Sequence, residues 1–281
     1  MAYSVSVTEL IKCRTSLRSY DGRSVEAAMR EKLEAFMAAP GPSLFGSAVR
    51  FQLLNGGPRE GEKLPGTYGV IKGALNYVAG AVRKGPMDME DFGYLFEKVI
   101  LYAADLGLAT CWIGGTLNRT SFAERMGLDG GEILPAISPV GYAASRRTIR
   151  DSVMRFSAGS KKRKSWERLF FRDGFDTPLG ERDAGPWAVP LEMVRLAPSA
   201  TNKQPWRVMI NETGVHFFLQ RNPTYSKIFP GIDLQRIDMG IAFCHFDLTL
   251  REMKRTGTWA RVDVDAGQIP PRTEYIASWI G

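Results

Sequence analysis

Three short segments of this 281-residue chain gather side chains that could hold a ligand. Near the start, Arg14-Thr15-Ser16-Leu17-Arg18 places two guanidinium groups around a hydroxyl. A guanidinium forms charge-assisted, preferably bidentate bonds with anions; its ordinary alternative is a surface ion pair. The stretch GLATCWIGG ends in Gly114-Gly115. Residues without a Cβ let backbone N–H groups approach a ligand closely, although a lone Gly-Gly is usually a strand-to-loop turn. Pro198-Ser199-Ala200-Thr201-Asn202 leads into Gln204-Pro205-Trp206. Its short hydroxyl and amide groups can donate or accept without crowding, yet alone they read as turn residues. The basic run Lys161-Lys162-Arg163-Lys164 alone reads as a solvated linker.

Other chemistries find little material. Two histidines, three cysteines and no Cys-x-x-Cys leave a zinc site almost without ligands. The same cysteines (Cys13, Cys111, Cys244) exclude a disulfide framework and suggest a reducing compartment. His216 sits in VHFFLQ, a strand pattern, and His245 falls on a helical stretch; neither has an acid–base setting. Cys111 and Cys244 read as core. Lys and Arg number 37 against 30 Asp and Glu, a net +7. That favours anionic ligands but is too small to argue nucleic-acid binding. A Gly-x-Gly-x-x-Gly dinucleotide fingerprint is missing. The start, MAYSVSVTELIKCR, shows no apolar signal core, and the longest apolar run, ending at Gly115, carries Asp105. Membrane spanning and secretion are therefore disfavoured, and a cytoplasmic protein is expected.

These segments need elements to position them. Val25, Met29, Leu33 and Phe36 share one face of a helix ended by Pro40-Gly41-Pro42. Val49 to Leu54 reads as a strand before a Gly-Gly-Pro turn. Ala81 to Asp91, with its Gly, Pro and charges, reads as a mobile loop. Phe92 to Leu106 marks a helix closed by Gly107. Ile137 to Ala143 is expected to be a strand, and Ser157 to Ser165 a crossover. Pro190 to Leu196 is a short helix, Trp206 to Asn211 and Val215 to Gln220 a hairpin, and Ile237 to Lys254 a second long helix. Trp259 to Asp265 and Thr273 to Trp279 are strand candidates.

A chain of this length suggests one large domain or two related halves, and weak self-similarity favours the second. Leu33-Glu34 and Ala39-Pro40 recur as Leu191-Glu192 and Ala197-Pro198 at an offset of 158. Asp91-x-Gly93 and Trp112 recur as Asp238-x-Gly240 and Trp259 at 147. Ordered matches with a small drift argue for duplication over two unrelated helices.

A helix ending in Ala-Pro-Ser-x-x-Asn-x-Gln-Pro-Trp and entering a strand, together with the N-terminal Arg-x-Ser-x-Arg, resembles the nitroreductase superfamily of FMN flavoproteins, in its duplicated TM-nitroreductase branch. The resemblance covers most of residues 9–260. It implies an α+β fold with a central, mainly antiparallel sheet and flanking helices. Two repeated halves would form an intramolecular pseudo-dimer: half A at 1–156, a basic crossover at 157–171 and half B at 172–281. Family members are normally homodimers with FMN at the interface. One subunit gives the Arg-x-Ser-x-Arg segment and the glycine loop, the other the Pro-Ser-x-x-Asn segment. Here Arg14 to Arg18 lines up with Arg172 to Asp176, Gly114-Gly115 with Arg261-Val262, and Ser199 to Asn202 with Gly41 to Leu44. The expectation is one working site and one relic, in a chain that could be a monomer.

For the site, the resemblance implies Arg14 at the FMN phosphate, with Lys161 and Arg163 as the family's Lys-x-Arg. Ser16, Pro198, Ser199, Ala200 and Asn202 would line the ribityl chain and pyrimidine edge. Gln204 is a further contact candidate, though strand entry and packing are its simpler reading, and Trp206 reads as core. Arg18 would stabilise negative charge on the reduced ring. Gly114 and Gly115 would present backbone N–H groups. The implied activity is hydride transfer from NADH or NADPH through FMN to a nitroaromatic, quinone or similar acceptor, with no catalytic side chain, no metal, and no nucleic-acid or membrane partner. A specialised flavin enzyme (dehalogenating, saturating or flavin-degrading), a flavin-binding sensor whose Gly80 to Asp91 loop covers the ring, and a relic without cofactor remain alternatives.

Overall fold

The computed structural model describes residues 3–55, 71–115, 117–144, 163–223 and 231–281. Ser6 opens the first helix, α1 (Val7–Cys13), its hydroxyl accepting from the Glu9 N–H. α1 buries Val7, Leu10 and Ile11. α2 (Ala27–Ala38) buries Leu33, Phe36 and Met37. Then follow β1 (Val49–Asn55), β2 (Asn76–Arg83), the long α3 (Asp88–Asp105), β3 (Ala109–Thr110), α4 (Arg119–Met126), β4 (Glu132–Ile133) and β5 (Ile137–Gly141). The second half comprises β6 (Phe170–Arg172), β7 (Gly174–Pro178), α5 (Ala188–Leu196), β8 (Trp206–Asn211), β9 (Gly214–Gln220), the long α6 (Leu234–Glu252), β10 (Thr258–Ala260) and β11 (Thr273–Ile280).

Each half builds its own mainly antiparallel sheet, as expected of two repeated halves. The first runs β1-β2-β5-β3, with β4 on β2; the second runs β10-β11-β9-β8-β6-β7. Without β6 and β7, the second sheet read from β8 repeats the path of the first, strand for strand. Every pairing is antiparallel except β6 with β8. The fold is α+β, and the duplication is structural.

Between the sheets, α3 and α6 pack along their lengths. A Cβ on Gly93 would stand 2.2 Å from the Ile237 carbonyl oxygen, and a Cβ on Gly240 would stand 2.0 Å from that of Glu90. Each partner lies 147 positions after its counterpart, the offset of the sequence repeat. The contact is thus isologous, as at a two-fold axis between subunits, but inside one chain. The two tryptophans are also equivalent, 147 apart, but their acceptors are not: the Trp112 indole donates to Glu97 Oε2 (2.6 Å) on α3 and the Trp259 indole to Asp247 Oδ1 (3.1 Å) on α6.

Three expectations need correction. Ala81 to Asp91 is not a mobile loop: it holds the end of β2, a short turn and the start of α3. Ala79, Ala81 and Val82 are fully buried, and Gly80 lets the strand pack beneath Phe51 and Phe92. The acids that looked solvated have distant partners. Glu90 makes two 2.6 Å bonds with Arg236, and Asp91 binds three backbone N–H groups of the 44–47 loop. Second, Arg172 to Asp176 is not the spatial counterpart of Arg14 to Arg18. Ser16 bridges Thr110 beside β3, whereas Arg172 lies in β6, paired to β8 at the opposite edge of its sheet. Third, Trp259 to Asp265 is a strand only to Ala260. Of the crossover, Trp166, Leu169 and Phe170 are buried in the core; residues up to 162, like the Gly-Gly-Pro turn after β1, lie outside the described residues.

The glycine crossing gives a prediction with an unusual sign. Alanine normally favours a helix interior over glycine by about 1 kcal/mol. Gly93→Ala and Gly240→Ala should instead each lower stability by about 2 kcal/mol, because overpacking must push two backbones apart. Urea unfolding midpoints check this; an unchanged or higher midpoint in both variants would contradict the crossing.

Candidate functional site

The first half's N-terminal segment reaches across to the second half. Glu252, at the end of α6, accepts from the Val7 N–H (2.6 Å) and the Thr8 N–H (3.3 Å). A carboxylate at a helix N-terminus is favourable, and it anchors α1 against α5 and α6. The chain then runs beside β3 through the Ser16–Thr110 bridge. This brings Ser16 and Arg18 next to the loop that follows β3.

A cavity of about 270 Å³ opens there between the halves, just below the usual ligand-pocket range. Seven of the residues singled out from sequence line it. Ser16, Arg18, Gly114 and Gly115 come from the first half, and Pro198, Ser199 and Ala200 from the second. Gly114 is tight: a Cβ would lie 2.7 Å from Leu234 Cδ2. Leu234, Ile237 and Ile241, on one face of α6, give the cavity an apolar wall, and Asp238 from the same helix also lines it. The sequence reading missed this wall. Its signal was the apolar spacing of α6, which served only to mark a helix.

The remaining candidates stand behind the cavity. Arg14 follows α1, and its side chain is 7% exposed. Its Nε lies 3.8 Å from Glu97 Oε1, too far for a hydrogen bond; Nε and Nη1 are buried without a hydrogen-bond partner. Arg163 donates to the carbonyls of Leu196 (2.7 Å) and Ala197 (2.6 Å) and to Asn202 Oδ1 (3.1 Å). Burial, reinforced by the charge of nearby Arg14, pulls the Arg163 pKa down to about 10. The charge of Arg14, from the first half, is thus felt at Arg163, in the crossover. Lys161 lies outside the described residues.

Gln204 is buried and organises the loop rather than lining the cavity. Its Oε1 accepts from the Lys164 N–H (2.8 Å), its Nε2 donates to the Asn202 carbonyl (3.0 Å), and its own N–H donates to Ser199 Oγ (2.9 Å). Asn202 sits in the same clamp, outside the cavity lining. Thr201, Asn202 and Gln204 all have positive φ, 43°, 55° and 48°. For a β-branched threonine this conformation is costly, so surrounding bonds must hold the loop in place. Trp206 is fully buried, as expected of core.

The pseudo-symmetric position is built differently. Ile237 and Ile241 correspond to Glu90 and Tyr94. Glu90 is paired with Arg236, and the Tyr94 hydroxyl donates to Asp247 (2.7 Å). Phe45 packs edge-on toward Phe243, whose ring lies tilted against Trp259 at 4.6 Å. Aromatic rings and closed ion pairs take the place of the apolar wall.

His216 bonds Ser278 and Asn211, and His245 contacts Glu97 and the Met193 carbonyl. Both histidines are fully buried away from the cavity lining. Among the described residues no cluster of three or more His, Cys, Asp or Glu could hold a metal, and no helix is long and apolar enough to cross a membrane.

Comparison with known proteins agrees with this architecture. The family described as "Putative TM nitroreductase" matches residues 6–250. A crystal structure of a "putative nitroreductase" from Thermotoga maritima aligns with 100% of this chain and 95% of its own, at 18% identity and a TM-score of 0.61. FMN-bound nitroreductases from Desulfitobacterium hafniense (20% identity, 93% of that chain) and Bacteroides fragilis (18% identity, 91% of that chain) each align with 51% of this chain at a TM-score of 0.41. No curated protein matches. Since the family match spans nearly the whole repeat, from α1 to the end of α6, the chain belongs to the TM nitroreductase family.

Proposed function

We propose that the cavity between the halves holds FMN and that the chain is an FMN-dependent oxidoreductase, taking hydride from NADH or NADPH and delivering it to a nitroaromatic, quinone or similar acceptor. One observation carries the reading: Arg14, two residues before the cavity-lining Ser16, has two buried donors without a hydrogen-bond partner, and Arg163 binds the Leu196 and Ala197 carbonyls just before the cavity-lining Pro198. The Arg14 charge has Glu97 3.8 Å away, but its two buried donors without acceptors are costly unless a ligand atom completes them. A phosphate dianion suits two guanidinium groups.

The rest of the site fits the other parts of the cofactor. Ser16 and Ser199 are small polar groups at the cavity wall, suited to a ribityl chain. Arg18 would set a cation at the pyrimidine edge, where it favours the reduced, anionic ring. Gly114 and Gly115 offer backbone N–H groups without side-chain obstruction. Leu234, Ile237 and Ile241 would pack against a flat apolar ring and exclude water from it. Asn202 and Gln204 hold Ser199 and Ala200 in place and steady Arg163. Bound FMN would supply the redox chemistry, with N5 as the hydride-accepting atom. The chain's contribution is position and electrostatics, and no nucleophile or metal is needed. The stretch offered as a cover in the sensor reading, Gly80 to Asp91, is buried strand and helix joined by an exposed turn at 83–86.

Two measurements follow. Arg14→Ala should weaken FMN binding at least about tenfold, a loss of ~1.4 kcal/mol, read by quenching of flavin fluorescence. Added salt should weaken the wild type modestly, through screening; wild-type affinity in the variant would mean that the phosphate lies elsewhere. Stopped-flow mixing with NADH or NADPH should bleach the visible flavin band, and no bleaching with either donor would leave a flavin binder without this turnover.

A further inference from the structure

Asp91 and Asp238 are equivalent residues, 147 positions apart, and their bonding differs. In the first half the carboxylate is fully used. Asp91 Oδ1 accepts from the Leu44 and Phe45 N–H groups at 2.8 and 2.9 Å, and Oδ2 from the Ser47 N–H at 2.9 Å. In the second half Asp238 Oδ1 accepts from the Ala200 N–H at 2.9 Å. Asp238 Oδ2 is buried and has no hydrogen-bond partner. The residue is only 3% exposed, yet it lines the cavity. Gene duplication thus supplies an internal control: the same acid closes its loop completely on one side and holds one oxygen in reserve on the other.

An unpartnered buried oxygen is expensive to keep. If structure were its whole purpose, an asparagine or the saturated arrangement of Asp91 would serve better. Ionised, Oδ2 could only accept; protonated, it donates. Burial, with a smaller push from the Asp233 charge, raises the Asp238 carboxyl well above the ordinary carboxylate range, against the Ala200 hydrogen bond. Among nearby cations, Arg236 is engaged by Glu90, and Arg18 lines the cavity from the other half. The surroundings favour the neutral acid.

We propose that Asp238 is a ligand-positioning residue whose Oδ2 hydroxyl donates a hydrogen bond to an acceptor atom, a ring nitrogen or carbonyl oxygen, of the group held in the cavity. The inference rests on the flavin reading, and it fixes which edge of the ring system faces α6. A donor there orients a planar ring that the apolar wall alone would let rotate in its plane.

The test uses the full chain and FMN itself, with Asp238→Asn and Asp238→Leu. Asparagine keeps an acceptor for the Ala200 N–H and puts an N–H donor in place of Oδ2; leucine removes both. The asparagine variant should bind FMN within about threefold of wild type, and the leucine variant at least about tenfold more weakly. Infrared difference spectra of the wild type should show a protonated-carboxyl carbonyl band that shifts when FMN is added and is missing in Asp238→Asn. A merely structural acid would give no FMN-linked shift. Equal losses in both variants, or no such band, would overturn the assignment while leaving the flavin site standing. Failure of the wild type to bind FMN would overturn the flavin reading itself, and this assignment with it.

Discussion

Everything in this molecule turns on the place where α3 and α6 touch at their backbones. Gly93 meets the Ile237 carbonyl and Gly240 meets that of Glu90, so no side chain intervenes on either helix. Two helices this close must keep a fixed crossing, and each carries one sheet on its outer side. The crossing therefore sets the distance between the halves. It also sets the width of the cavity between the glycine loop after β3 and the loop after α5. In a dimer such a contact would form by association and depend on concentration. Here the chain supplies both sides.

Because both sides are covalently joined, they are free to diverge. A symmetric dimer must use the same surface twice; a duplicated chain does not. The cavity side has Ile237 and Ile241 as wall and leaves one oxygen of Asp238 unpartnered. The other side has Glu90 locked to Arg236, Tyr94 to Asp247, and Asp91 saturated by its own loop. The same backbone frame thus supports an open position and a closed one. Positive charge divides as well: Arg14 and Arg18 arrive on a segment from the first half, and Arg163 on the crossover.

Much of the frame was legible in the residues. The long helices showed in apolar spacing, and the repeat in Asp-x-Gly and Trp matches, because those residues make the crossing and its flanking indole bonds. Ser16, Gly114 and Ser199, the last two of which alone read as turn residues, were picked out by the family resemblance, and they line one cavity. Other features were not legible. Ala81 to Asp91 looked like a loop because its acids find their partners elsewhere in space: Asp91 more than forty residues back, Glu90 across the helix pair at Arg236. Counting residues at offset 158 paired Arg14 with Arg172, but sheet position is decided by pairing partners, and β6 joins β8. Asp238 was visible only as half of a repeat. That one of its oxygens lacks a partner depends on what the other loop does, and composition holds no trace of that.

The account makes one site from two unequal halves. Its most direct test is the flavin stoichiometry at saturation, by absorbance titration on a preparation whose molecular mass is measured in the same buffer. One FMN per chain is the result the structure predicts, whether the chain is alone or assembled. Two per chain would mean that the closed position also opens, and none would mean that the cavity serves something else.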